Sequence, residues 1–125
     1  MKFYASGKIL ITAEYAVLGG AKALAIPTKL GQSLKVSKTN SGVLSWESVD
    51  ESGNTWYTKT FDINTFSPLD GDDVVSQRLQ QLFVEIRKEN PTCWDNLGGI
   101  SFVTTLEFNR SWGLGSSSTL LSLLA

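Results

Sequence analysis

The residues best suited to chemistry form one octet, Trp112-Gly113-Leu114-Gly115-Ser116-Ser117-Ser118-Thr119. Two glycines and a run of hydroxyls lead into an apolar stretch, the layout of a turn that opens a helix. Such a helix start presents unpaired backbone N–H groups and the positive end of the helix dipole. An anion fits there, phosphate above all. Gly113 and Gly115 lack a Cβ, so the backbone can take positive φ and approach a ligand closely. The hydroxyls of Ser116, Ser117 and Ser118 can cap the helix, bond phosphate oxygens or ligate Mg²⁺. An ordinary N-cap has the same composition, so the octet alone leaves both readings open. It is not a Walker A loop, because no lysine follows the glycines.

A second pair of reactive residues is Lys8 and Glu14, set in a segment (residues 5–20) that is otherwise apolar or small. Charges on a buried strand are costly unless partnered. These two therefore meet each other in a salt bridge, or meet a ligand.

Composition removes several other chemistries. The chain has 125 residues, is 42% hydrophobic and 18% charged, and carries a net charge of −1. That is one soluble globular domain with no electrostatic case for nucleic acid or an anionic membrane. With no histidine there is no Ser-His-Asp triad and no usual zinc site. The single cysteine, Cys93, excludes an internal disulfide, fits a reducing cytoplasm and reads as a structural or surface thiol. No apolar run is long enough to span a bilayer, and the N-terminus lacks a signal-peptide layout.

The elements that must position these groups follow from periodicity. Residues 3–27 read as two or three short strands broken at Gly7 and at Gly19-Gly20, and residues 33–38 alternate as a strand. Residues 43–49 and 55–61 form a hairpin around Asp50-Glu51-Ser52-Gly53-Asn54. Asp72 or Asp73 caps a helix whose apolar face is Val75, Leu79, Leu82, Phe83 and Ile86, ended by Asn90-Pro91. The last strand, 100–108, alternates Ile100, Phe102, Leu106 and Phe108 and delivers the chain to the glycine turn. Strands followed by helix, strand, helix predict an α+β fold, a mostly antiparallel sheet with helices on one face. Trp46, Trp56, Tyr57 and Phe61 are core and cross-strand residues rather than a base-stacking platform, since no basic cluster accompanies them. Residues 120–125 are apolar nearly all round, which predicts a chain continuing past Ala125, the alternative being that these leucines fill the core of a small domain; an exposed end of this kind also predicts self-association.

The segment Ala5-Ser6-Gly7-Lys8 through Ala13-Glu14-Tyr15 resembles the opening motif of the GHMP kinases, which include galactokinase, homoserine kinase, mevalonate kinase and phosphomevalonate kinase. Residues 109–118 resemble that family's second motif, Pro-x-Gly-x-Gly-Leu-Gly-Ser-Ser-Ala, and follow the first by about a hundred residues. The resemblance covers the N-terminal half of such a kinase. It implies a fold like the second domain of ribosomal protein S5, with a C-terminal ferredoxin-like domain completing the enzyme. It implies ATP and Mg²⁺ as cofactors and a small-molecule acceptor, a mevalonate-pathway-like one being favoured. By resemblance, Trp112, Gly113, Leu114, Gly115, Ser116, Ser117 and Ser118 wrap phosphate, and Ser117 ligates Mg²⁺. Lys8 lies by the transferred phosphoryl group, and Glu14 supports that lysine or the phosphate site. The family's catalytic aspartate, second metal-binding acid and third glycine-rich motif fall downstream of Ala125, so this stretch alone should be inactive. Ser6, Ala13, Asn109 and Ser111 depart from the motifs, and Tyr15 replaces the histidine typical of mevalonate kinases. Two rivals stand beside the kinase: a non-catalytic S5-like module for RNA or a protein partner, and a kinase homologue that has lost activity.

Overall fold

The computed structural model describes residues 1–12 and 15–125; Ala13 and Glu14 lie outside the described residues. Alternating apolar residues build a five-stranded sheet in the order β1-β2-β5-β3-β4. Its strands are β1 (Lys2–Leu10), β2 (Ala25–Lys38), β3 (Val43–Val49), β4 (Thr55–Asp62) and β5 (Ile100–Leu106). Every neighbouring pair is antiparallel except β3 and β5, which run parallel. Parallel strands need a long crossover, and the path through β4 and helix α1 (Val74–Glu89) supplies it. The chain is thus α+β, with a mixed and mostly antiparallel sheet.

One sheet face is the core. Leu34, Leu44, Trp46, Phe61, Ile100 and Phe102 project from it to meet Leu79 and Phe83 of α1 and Leu123 of α2 (Ser116–Leu124). Both helices therefore cover the same face. Phe83 is the hub, with the rings of Phe61, Phe66, Phe102 and Trp46 at centroid distances of 5.5, 5.6, 5.6 and 5.9 Å. Such aromatic pairs add stability beyond the area they bury.

Local chemistry sets the element ends as the sequence predicts, and resolves one ambiguity. Asp73, not Asp72, is the N-cap of α1: its carboxylate accepts the N–H groups of Val75 and Ser76, and Ser76 Oγ accepts the Asp73 N–H in return. Lys59 Nζ sits 2.9 Å from Asp73 Oδ2, and the Tyr57 hydroxyl donates to the same carboxylate. The Lys59 ammonium and the helix amides hold the Asp73 carboxyl down at about 2, while burial and that carboxylate push Tyr57 up to about 12.

Two expectations need correction. Gly7 does not end a strand, because β1 runs through it and the irregularity lies on its partner. Ser6 pairs with Gly31 and Lys8 with Pro27, leaving residues 28–30 of β2 as a bulge opposite Gly7. Pro27 is tolerated there because β5 pairs β2 only from Gln32 onward, so no ladder N–H is needed on that side. Lys8 also does not sit in a buried strand. This end of the β1–β2 hairpin is exposed, Ile9 and Ile11 included.

Candidate functional site

The glycine turn is positioned from both sides of the sequence. Where β5 ends, Phe108 is buried and anchors the chain. Asn109 then caps a short 3₁₀ turn (Arg110–Trp112): its Oδ1 accepts the Ser111 N–H at 3.0 Å and the Ser111 hydroxyl at 2.6 Å. Asn109 Nδ2 donates to Glu51 in the β3–β4 turn at 2.7 Å, and the Arg110 guanidinium lies 3.8 Å from the Trp56 ring centre. Asn109 and Ser111, the departures from the family motif, thus make the turn that leads into the loop. An Asn-x-Ser step is a recognisable side-chain turn, and that signal went unused in the sequence reading.

Gly113 and Gly115 both take left-handed conformations, with φ of +70° and +77°. The reasons differ. A Cβ on Gly113 would meet nothing within 4 Å, so conformation alone demands glycine there. A Cβ on Gly115 would also press on the Lys8 side chain, 3.3 Å from Cγ and 3.4 Å from Cε. Between them the Leu114 carbonyl turns to β1 and accepts the Lys8 N–H at 3.0 Å. The first N–H of α2 with a backbone acceptor is that of Thr119, to Gly115 O. Among the described residues no acceptor meets the N–H groups of residues 113–118, and the N-cap Gly115 has no side chain to supply one.

Of these residues, 113–115 and 118 border an open cleft of about 370 Å³. Lys8, Ile9 and Leu10 form one wall; residues 112–115 and Ser118 form the other. Lys8 of the first motif and the glycines of the second are therefore brought together. No carboxylate among the described residues pairs with Lys8, as the ion pairs there are Lys59–Asp73 and Lys88–Glu85. Unpaired N–H groups, a helix N-terminus and one ammonium facing a cleft make a site for a polyanion.

Not every predicted residue lines the cleft. Ser116 and Ser117 stand at the helix start off its walls, and Ser117 is exposed. Glu14 lies outside the described residues. Ile9 and Leu10 are cleft residues that the sequence reading passed over, although their place directly after Lys8 on a strand was the available signal. Among the described residues, no group of three or more Cys, Asp or Glu side chains gathers as a metal site, and no helix is long and apolar enough to cross a membrane.

No protein-family model and no curated protein matches the chain by sequence. Solved structures do match it. Over 99% of its length it superposes on the mevalonate kinase of Methanococcus jannaschii with a TM-score of 0.70 at 14% identity. The galactokinase of Lactococcus lactis, complexed with galactose, gives 0.66 at 18% identity over 98% of the chain. The phosphomevalonate kinase of Streptococcus pneumoniae, in complex with phosphomevalonate and AMPPNP, gives 0.64 at 16% over 99%. The chain spans 38%, 30% and 34% of those proteins. At these identities the likeness establishes the fold: the chain has an α+β fold found within GHMP-type kinases, as its two motifs imply.

Proposed function

We propose that this chain is the N-terminal nucleotide-binding portion of an ATP-dependent small-molecule kinase of the GHMP type. The observation that carries the reading is that residues 113–115 and Ser118, whose N–H groups meet no acceptor among the described residues, line the same cleft as Lys8. In this reading the loop amides and the start of α2 bind the phosphate chain, and the left-handed glycines let the backbone approach it. Lys8, fixed by its own N–H on Leu114, offsets charge at the transferred phosphoryl group and orients the acceptor beside it. Trp112 and Leu10 line the cleft beside Lys8 and the glycines.

The residues fit a nucleotide's phosphates. For Mg²⁺ the helix start offers hydroxyls, of which the resemblance assigns Ser117 to hold the ion; there it would supply positive charge that neutralises the phosphates. Glu14 supports the site in the same reading. The favoured acceptor is a mevalonate-pathway-like hydroxyl or phosphate, in keeping with the bound phosphomevalonate of the S. pneumoniae structure. The setting we assign is the cytoplasm, consistent with the free thiol of Cys93. An RNA-binding module is not favoured, since the chain carries 11 basic against 12 acidic residues.

Calorimetric titration of the protein with ATP and Mg²⁺ tests the reading. Saturable binding that competes with tripolyphosphate is expected. No saturable binding overturns it, and binding without turnover in the intact enzyme identifies a homologue that has lost activity.

A further inference from the structure

The Lys8–Leu114 contact depends on where the β2 bulge lies. Gly7 is packed by three groups: a Cβ there would fall 2.7 Å from Thr28 Oγ1 and 3.1 Å from both the Leu30 and Leu114 carbonyl oxygens. The bulge, β1 and the anion loop converge on that one residue. A shift of the bulge would therefore move Gly7, and Lys8 with it, relative to Leu114.

Glu107 holds the bulge. It follows the last residue of β5 and comes just before Phe108 and Asn109, which lead into the anion loop. Its Oε2 accepts the Gly31 N–H at 2.9 Å and the Tyr4 hydroxyl at 2.7 Å, and its own N–H donates to Gly31 O at 3.0 Å. The Tyr4 hydroxyl is also 2.9 Å from the Lys29 carbonyl, inside the bulge. Gly31 leaves no slack: a Cβ would lie 2.3 Å from Ala5 O and 2.7 Å from the Tyr4 ring. The hydrogen bond that the Tyr4 hydroxyl donates to Glu107 also raises the pKa of the phenol above its ordinary value, keeping it a donor. One carboxylate thus ties the bulge behind Lys8 to the strand end that feeds Leu114, yet Glu107 is not on the cleft wall.

We propose that Glu107, assisted by Tyr4, is a positioning residue of the anion site, setting Lys8 against Leu114 through the bulge at residues 28–30 and Gly7. The proposal rests on the reading that Lys8 and the loop bind nucleotide phosphates. A hydrogen bond to a charged acceptor is worth enough that its loss should weaken binding about tenfold.

The test is calorimetric titration of the protein with tripolyphosphate and with MgATP, with thermal melts of each variant alongside. Glu107→Ala should lose about tenfold in affinity and Tyr4→Phe a few-fold. Glu107→Gln should keep most of the affinity, because an amide oxygen still accepts from Gly31 and Tyr4. In a Lys8→Met background neither Glu107→Ala nor Tyr4→Phe should cost anything further, since their effect runs through Lys8. If Glu107→Ala fails to fold, Tyr4→Phe in the two backgrounds carries the same comparison. A wild-type protein that binds neither probe overturns the nucleotide reading and this inference with it. Wild-type binding that Glu107→Ala and Tyr4→Phe leave intact, or losses as large with Lys8→Met as without it, overturn the inference alone.

Discussion

Gly7→Ala isolates the effect of contact from that of backbone conformation. Gly7 is not among the glycines with positive φ, so alanine meets no conformational penalty there. Its methyl meets atoms instead: Thr28 Oγ1 at 2.7 Å and two backbone carbonyls at 3.1 Å. Carbon and oxygen rest at about 3.3 Å or more. The threonine hydroxyl can rotate away, but the Leu30 and Leu114 carbonyls move only with the main chain. Overpacking of this kind costs about 1–3 kcal/mol, and breaking the Lys8 N–H···O bond adds about 1 kcal/mol. Lower entropy of the unfolded chain returns about 0.4–1 kcal/mol, so the net loss is about 2 kcal/mol. For a chain of this length that lowers the melting temperature by about 8 °C. Thermal and urea denaturation should show the shift with an unchanged denaturant slope, and tripolyphosphate affinity should fall about tenfold as Leu114 retreats from Lys8. Adding Thr28→Ala should recover only part of the stability, because both carbonyls remain. A Gly7→Ala protein that melts within about 2 °C of wild type and binds equally well would refute the reasoning. Full rescue by Thr28→Ala would refute the role given to the carbonyls.

Other outcomes follow from the same structure. Gly113→Ala meets no atom but must hold φ of +70°, so it should lose about 1 kcal/mol in urea denaturation from conformation alone. In the intact enzyme, Lys8→Met should lower kcat by well over the about tenfold that it costs in ATP affinity, and equal losses in the two would contradict its role; Ser117→Ala should lower turnover most when Mg²⁺ is limiting, and a loss independent of Mg²⁺ would contradict that one. Tyr57 titrates higher in the folded than in the unfolded chain, so its contribution is complete below about pH 10 and lost as pH rises toward about 12. Tyr57→Phe should flatten that alkaline loss in melts followed against pH. Asp73 titrates lower when folded, so its contribution is present above about pH 4 and lost as pH falls toward about 2; Asp73→Asn should blunt the acid loss. Leu121 is 51% exposed on α2, and light scattering on dilution should reveal self-association that Leu121→Glu weakens; a monomer at all concentrations contradicts this.

How far the sequence led depended on the range of each interaction. The β3–β4 hairpin was readable because its alternation and its turn residues are neighbours, and α1 because Asp73 and the Leu79–Phe83 spacing are local. The helix at Ser116 was signalled by the residues that form it. Lys8 was misjudged because an apolar neighbourhood implies burial only when something covers it, and cover is a property of the whole fold. The parallel pairing of β3 with β5 and the bond from Glu107 to Gly31 join residues more than fifty positions apart. Nothing in either local pattern announces such a partner. The two motifs were recognisable separately, but only folding shows that the Lys8 amide and the Leu114 carbonyl meet.

The chain's four tryptophans have unequal surroundings. Trp46 and Trp94 are buried, Trp56 lies beneath the Arg110 guanidinium, and Trp112, 62% exposed, stands at the cleft. The protein therefore carries its own optical probe. Excitation at the red edge of the indole band should favour the solvated ring, so a guest in the cleft would register as a blue-shifted or quenched emission without any added dye.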